Sequence, residues 1–505
     1  MKIDFQNENL ADAPGAALVV FGFEDNPTGT GTAGGLPESA RALLVELQQS
    51  GELKGKPYEA TLIHRPGGLA ARLLLVIGAG KEEKYKPALL RRLAGMAVRH
   101  LRARGVHNLT WALSPKHRGP DAVQALVEGA ITADYDSDRY RTERNGEKRI
   151  DEFWLLTAGE AVTSGERSAA ARGQIIGEAQ NFVRDLVNEP SNNLPPSKLA
   201  ERAQAMSREY GLECEVLDEN EIQRLKMGAL WAVGQGSEAP PRLIVLRYTP
   251  AGAPAEPVIA LVGKGITFDT GGISIKAAAD MHEMKTDMAG GATMLGVMRA
   301  IAQLKPAVRV MCVIPAAENM PSGNAYRPGD VITSMSGKTI EVLNTDAEGR
   351  LALADAVTYA RQQGATVVID AATLTGGVMV ALGTITTGVF GWNKDWVKRV
   401  LASAAAVGER MWELPIDDEY RDLYKSMIAD LANTGGRYGS AITGAMFVGE
   451  FAGDTPWVHL DIAGTRWSNE EKPYMAKGPT GHPMRTLVHL VCELPNGKET
   501  MRPGL

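Results

Sequence analysis

The strongest constraint in this sequence is a set of apolar runs in its C-terminal part: RLIVLRYT (242–249), PVIALVG (257–263), VRVMCVI (308–314), TVVIDAAT (366–373) and WVHLDIA (457–463). Each has the length of a strand and is nearly continuous. A strand with one wet face alternates apolar and polar residues, whereas a strand covered on both faces does not. The intervening segments carry helical spacing, as in GGATMLGVMRAIAQL (290–304) and GRLALADAVTYARQQ (349–363). The pattern predicts an α/β fold with a mixed, largely parallel sheet covered by helices on both faces.

The first 160 or so residues repeat this alternation on a smaller scale. AALVVFG, YEATLIH, RLLLVIGAG and DEFWLLT read as strands, and residues 86–104 and 119–134 as helices. NPTGTGTAGGLPESA (26–40) reads as a Gly/Pro-rich loop, and the charged stretch YDSDRYRTERNGEK (136–149) as a solvated connection. Between the two parts, Ile175, Ile176, Ala179, Phe182, Val183 and Leu186 recur at helical spacing, and Pro190 ends the run. The expected organisation is an N-terminal α/β domain over 1–165, a linking helix over 166–190 and a larger α/β domain over 191–505. A chain of 505 residues has room for two such cores.

Composition narrows the function classes. A net charge of −6 argues against a dedicated nucleic-acid binder, whose domain is usually basic. The N-terminus, MKIDFQNENLADAP, lacks the apolar stretch of a signal peptide, and no run of 18 apolar residues predicts a membrane span. Cys214, Cys312 and Cys492 are far apart and suit neither a disulfide framework nor a zinc knuckle. Cys312, inside VRVMCVI, reads as core. The cytoplasm is the expected compartment.

In open α/β sheets, ligands bind beyond the carboxyl ends of the strands. Two segments place charged residues there. VGKGITFDTGGISIK (262–276), continuing to HEMKTDMAGG (282–291), carries Lys264, Asp269, Lys276 and Asp287. EVLNTDAEGRL (341–351) carries Asp346 and Glu348, whose spacing puts both on one side of an extended stretch, followed by Arg350. Each piece has an ordinary reading by itself. A lone Asp-x-Glu is usually solvated or opens a helix, Asp287 could simply N-cap the helix that follows, and a lysine at a strand end is usually exposed. Four carboxylates gathered in one place, however, repel one another unless cations compensate. Oxygen-rich ligand sets suit Mg²⁺ or Mn²⁺, and carboxylates also serve Zn²⁺.

No HExxH, GxSxG or P-loop motif is present, and neither His282 nor His459 has a ligand-spaced partner. His459 reads as a core residue or one supporting the site from behind. Two readings of such a cluster are a dinuclear-metal phosphoesterase, and a regulatory or nucleic-acid-binding protein with a structural metal site. The first normally uses histidine or asparagine ligands, and both leave the two lysines and Arg350 unexplained.

NTDAEGRL (344–351) is similar, letter for letter, to the signature of the leucyl aminopeptidase family of cytosolic dinuclear-metal exopeptidases. VGKGITFDTGGISIK, MKTDMAGG, ENMPSGNAYRPGD (318–330) and DAATLTGG (370–377) resemble that family too, so the likeness spans residues 170–505. The resemblance implies an enzyme that removes leucine and other mostly apolar N-terminal residues from peptides, using water activated by two divalent ions. These would be Mn²⁺ or Zn²⁺, with Mg²⁺ also admissible. It implies that Asp269 and Glu348 bridge both ions, that Lys264 and Asp287 complete one site, and that Asp346 completes the other. Lys276 and Arg350 would be catalytic, Arg350 holding a bicarbonate that shuttles the proton. Met284, Thr373 and Leu374 would contact the substrate. The assembly implied is a homohexamer.

Overall fold

The computed structural model of the chain describes residues 1–143 and 148–496. Two compact units emerge: Met1–Asn181 with Asn469–Lys477, and Phe182–Ser468 with the chain from Gly478 onward.

The first unit holds six strands: Lys2–Gln6 (β1), Ala17–Gly22 (β2), Ala60–His64 (β3), Leu73–Gly78 (β4), Asn108–Ala112 (β5) and Glu152–Leu156 (β6). They lie in the order β1-β6-β5-β2-β4-β3, parallel except for β3, which runs antiparallel to β4. Its helices are Glu38–Gln49 (α1), Pro87–Arg102 (α2), Pro120–Ala133 (α3) and most of Ser164–Asn188 (α4). The Gly/Pro-rich segment expected to be loop through residue 40 already becomes helix at Glu38. Of α1, only Ala40 and Leu44 are buried, so its apolar stripe is too narrow to stand out. In the charged stretch 136–149, residues 144–147 lie outside those described. Asp136 there is not simply solvated: it accepts a 2.7 Å hydrogen bond from Arg102.

The second unit is built on a nine-stranded sheet. Its strands are Glu213–Leu217 (β7), Arg242–Tyr248 (β8), Val258–Gly263 (β9), Gly265–Asp269 (β10), Arg309–Asn319 (β11), Val367–Ala372 (β14), Thr387–Gly391 (β15), Met411–Glu413 (β16) and Trp457–Asp461 (β18). Val331–Thr333 (β12), Thr339–Glu341 (β13) and Leu431–Ala432 (β17) make a separate small sheet. The large sheet runs β16-β15-β18-β14-β9-β11-β8-β7, with β10 pairing alongside the end of β11. The central strands β18, β14, β9 and β11 are mutually parallel, whereas β15, β8 and β7 join antiparallel. The helices are Pro196–Tyr210 (α5), Glu219–Arg224 (α6), Gly228–Gly234 (α7), Ala289–Leu304 (α8), Glu348–Gln362 (α9), Gly376–Leu382 (α10), Lys394–Val407 (α11), Ser440–Gly449 (α12) and Met484–Glu493 (α13). None of the described helices is long and apolar enough to cross a membrane.

The continuous apolar run of β9 follows from its place in the middle. Ala260 and Val262 join a core with Leu351, Leu353 and Val357 of α9, while Ile259 and Leu261 face the other way, all at 0% exposure. Cys312 is likewise fully buried in β11. From β9 the chain passes through α8 to β11 on one side, and then through α9 to β14 on the other. Right-handed crossovers in opposite directions put α8 and α9 on opposite faces. They also open a crevice at the carboxyl ends of these strands. Lys264 leaves β9 there, Thr373 leaves β14, and Asp269, Asn319 and Asp461 close β10, β11 and β18.

Candidate metal centre

Lys264 turns inward immediately after β9 and is 3% exposed. Its Nζ lies 2.8 Å from Asp287 Oδ2 and 2.7 Å from Glu348 Oε1, and it donates to the Thr373 carbonyl at 3.1 Å. This path runs directly over Gly349. A Cβ at Gly349 would fall 2.6 Å from Nζ and 2.7 and 2.8 Å from Cε and Cδ, so any side chain here would displace the lysine from this path. Lys276 lies 2.8 Å from Asp269 Oδ2 and also pairs with Asp346. The two ammoniums therefore each pair two of four carboxylates, which come from three segments of the chain. Asp269, Asp346 and Glu348 each offer an oxygen within 4.8 Å of the others, the geometry of a cation cage.

Local structure explains how each carboxylate arrives. Asp269 is the last residue of β10. Its Oδ1 accepts from Gly271 N at 2.9 Å and from Asn319 Nδ2 at 2.8 Å. Gly271 makes the turn with φ near +87°, a conformation that costs glycine nothing. Asp287 does not cap α8. It lies in a 3₁₀ segment, Met281–Met288, with Thr373 Oγ1 2.6 Å from its Oδ1. The expectation that Asp346 and Glu348 share one side of an extended stretch is corrected here. Asp346 lies in a turn held by Asn344 Oδ1, which accepts from its N–H at 2.8 Å, and Glu348 opens α9. The turn and the first helical residue, not a strand's alternation, converge the two side chains.

The electrostatics are those of a buried anionic cluster. Burial alone would strip the proton from Lys264, but Asp287, Glu348 and Asp269 outweigh it and raise the pKa. Lys276 is raised for the same balance of reasons, with Asp269 the main partner. Burial, reinforced by Asp269, pushes Glu348 up to about 7, and burial pushes Asp346 up to about 6 despite Lys276. Burial also raises Asp287. Glu348 Oε2 is buried with no hydrogen-bond partner at all. An unpaired, desolvated carboxylate oxygen beside three other carboxylates is costly, and a divalent cation relieves that cost. The donor set thus fits divalent metal.

Of the remaining predicted residues, Arg350 is buried and sits deeper in α9, donating from Nη1 to the Asn433 carbonyl at 2.9 Å. Burial lowers its pKa to about 10, opposed by Glu348 and Asp461. Its Nε is buried without a partner. Met284 lies half-buried in the 3₁₀ segment that carries Asp287. Leu374 gives its N–H to Asp461 Oδ1 at 3.3 Å and packs against the core beneath. His459 is fully buried, with Nδ1 2.5 Å from Asp370 Oδ1, and touches none of the clustered carboxylates. Sequence reasoning missed Asn319, whose amide clamps Asp269 and donates to the Thr345 carbonyl at 3.0 Å. It also missed Tyr326, which donates to the same carbonyl at 2.7 Å.

The model of the cytosol aminopeptidase family's catalytic domain matches residues 181–488, and that of its N-terminal domain matches residues 19–144. The chain belongs to the cytosol aminopeptidase family. A probable cytosol aminopeptidase of Solibacter usitatus is 52% identical over 493 residues, covering 98% of this chain and 99% of the relative. Among solved structures, a tomato leucine aminopeptidase mutant superposes with a TM-score of 0.87 at 32% identity, over 98% of this chain and 96% of that one. The bottromycin maturation enzyme BotP in complex with Mn gives 0.84 at 31% identity, over 95% and 100%. The NTDAEGRL resemblance is therefore kinship, and the protein is a metal-dependent aminopeptidase, a hydrolase of peptides with a divalent metal cofactor.

Proposed function

We propose that this aminopeptidase uses two divalent ions, Mn²⁺ or Zn²⁺ with Mg²⁺ also admissible, to release leucine and other apolar N-terminal residues. Asp269, Asp287, Asp346 and Glu348 would hold the ions, with Asp269 and Glu348 shared between them, and Lys264 would join them as a free amine once an incoming dication displaces its ammonium proton. The observation that carries this reading is the four-carboxylate cluster with a buried, unpartnered Glu348 Oε2. When bound, such ions polarise a carbonyl, lower the pKa of water and anchor a free amine.

The chain's own groups supply the rest. Lys276 stays an ammonium among its carboxylates and can face the oxyanion of a tetrahedral intermediate. Arg350 stays a cation even at its lowered pKa, so it is no base. Its planar fork, with Nε unpaired, suits a small oxyanion such as bicarbonate, which would carry the proton to the leaving amine. Met284, Thr373 and Leu374 flank the substrate. Because the Leu374 N–H is given to Asp461, Leu374 aligns the peptide through its carbonyl. A homohexamer and a cytoplasmic location belong to the same proposal on family kinship.

The test is metal content against turnover. Chelation should abolish hydrolysis of aminoacyl amides, and Mn²⁺ or Zn²⁺ should restore it at two ions per chain. N-acetylated peptides should be cleaved orders of magnitude more slowly than free ones. Full activity at one bound ion, or equal rates on blocked peptides, would overturn the reading.

A further inference from the structure

Asp461 is the last residue of β18, opposite Ala372 of β14, and is 1% exposed. Each of its oxygens holds the loop that leaves β14, and Oδ1 also holds the chain just after β18. Oδ1 accepts from Leu374 N at 3.3 Å and from Ala463 N at 3.1 Å, and Oδ2 accepts from Thr375 Oγ1 at 2.7 Å. Thr375 Oγ1 in turn accepts from Val378 N at 3.1 Å and caps α10. The residue just before this anchored pair is Thr373. Its carbonyl accepts from Lys264 and its hydroxyl donates to Asp287. Asp461 is therefore one loop residue removed from the two groups proposed to complete a single metal position, while among the described residues its hydrogen bonds reach neither Asp269 nor Asp346.

We infer that Asp461 is a positioning residue for one of the two metal positions, holding the Thr373–Thr375 loop so that Lys264 and Asp287 converge. This rests on the two-ion reading above. The carboxylate is suited to the task in a way an amide is not. The Thr375 hydroxyl has a single proton, which it gives to Asp461 while accepting from Val378 N. In Asp461→Asn, one side of the amide is a donor, and the acceptor atoms facing the two loop groups and Ala463 N drop from two to one. The loop loses one anchor without a change of volume. Outer groups that orient ligands usually matter to metal affinity by about 10- to 100-fold.

The experiment is a Mn²⁺ titration of metal-depleted full-length protein, resolving both binding steps, for the native chain, Asp461→Asn and Thr375→Val. Thermal unfolding of the metal-free samples runs alongside. The expected result for Asp461→Asn is one step weakened about 10- to 100-fold and the other within about two-fold of native. Turnover should be recovered in excess Mn²⁺. Thr375→Val, which removes one of the three bonds, should weaken the same step by less, and it carries the test if Asp461→Asn does not fold. Two native-like steps in the variants, or equal weakening of both, would overturn the inference. A native protein that binds only one ion would instead overturn the two-ion reading.

Discussion

Gly349→Ala sets two effects of one methyl group against each other. Gly349 is the second residue of α9, where alanine in place of glycine ordinarily stabilises a helix by about 0.5–1 kcal/mol. The added Cβ would sit 2.6–2.8 Å from three atoms of the Lys264 side chain, where ordinary contact is 3.4–4 Å. The lysine has to retreat by roughly 1 Å, which carries contacts now at 2.7 and 2.8 Å beyond hydrogen-bond reach. Each charged hydrogen bond contributes about 1.5–3 kcal/mol, so the loss of two exceeds the helix gain several-fold. The metal-free variant should be less stable by about 2–5 kcal/mol on this reckoning. A misplacement of roughly 1 Å at the site should also lower turnover by about 10²-fold. Urea unfolding of metal-free protein gives the first quantity; Mn²⁺ content and turnover of leucine amide give the second. A Gly349→Ala enzyme as active and as metal-replete as the native one would refute the claim that Lys264 needs the space above this glycine.

Other predictions follow from separate parts of the molecule. Lys276→Ala and Arg350→Ala should keep both ions while losing turnover, Lys276→Ala by about 10²–10³-fold or more, whereas Asp269→Ala and Glu348→Ala should lose metal as well. Metal analysis of all four side by side decides this, and a metal-free Lys276→Ala beside a metal-replete Glu348→Ala would reverse the assignment. Away from the site, Asp355 is fully buried and accepts from Leu230 N at 2.8 Å and Met335 N at 2.7 Å, yet burial lifts its pKa to about 7. Its folded pKa is above the unfolded 3.8, so the unfolded chain gives up this proton first as pH rises. Its contribution to stability is therefore greatest at low pH and is lost between about pH 4 and 7. Relative to Asp355→Asn, the native protein should lose up to about 1.4 kcal/mol per pH unit across that window, read from urea unfolding at several pH values. Parallel pH profiles for the two proteins would count against it.

The parts of the fold that announced themselves are those buried on both sides. β9, β11, β14 and β18 are central strands, so their sequences carry no polar alternation and read as strands on inspection. Other strands did not: β7, at the edge, alternates exposed and inward residues in ECEVL, and β15, TGVFG, one place in from the other edge, is short and interrupted by glycine. Within the site, the charged residues were legible because lysine and aspartate are out of place in glycine-rich turns after apolar strands. The clamps were not. Asn319 lies 50 residues from Asp269, and Asp461 lies 87 from Leu374, so no local spacing connects them. Only the parallel arrangement of strand ends makes them neighbours. The turn at Asp346 is not legible as one, because the polar run before Gly349 carries no periodicity with which to distinguish turn from extended chain.

The two lysines of the centre also settle the order in which the protein comes into being. A site of carboxylates alone would close without metal only by taking up protons, and folding would lean on metal supply, as it does for small domains whose ligands are their core. Here the counter-ions are part of the chain: Lys264 and Lys276 are already bonded to all four carboxylates. The peptide can finish folding on the ribosome's schedule, and metal uptake becomes a later exchange in which a dication competes with tethered ammoniums. Synthesis and activation are thereby uncoupled, and a cell short of metal would accumulate a folded reserve of this enzyme rather than an unfolded liability.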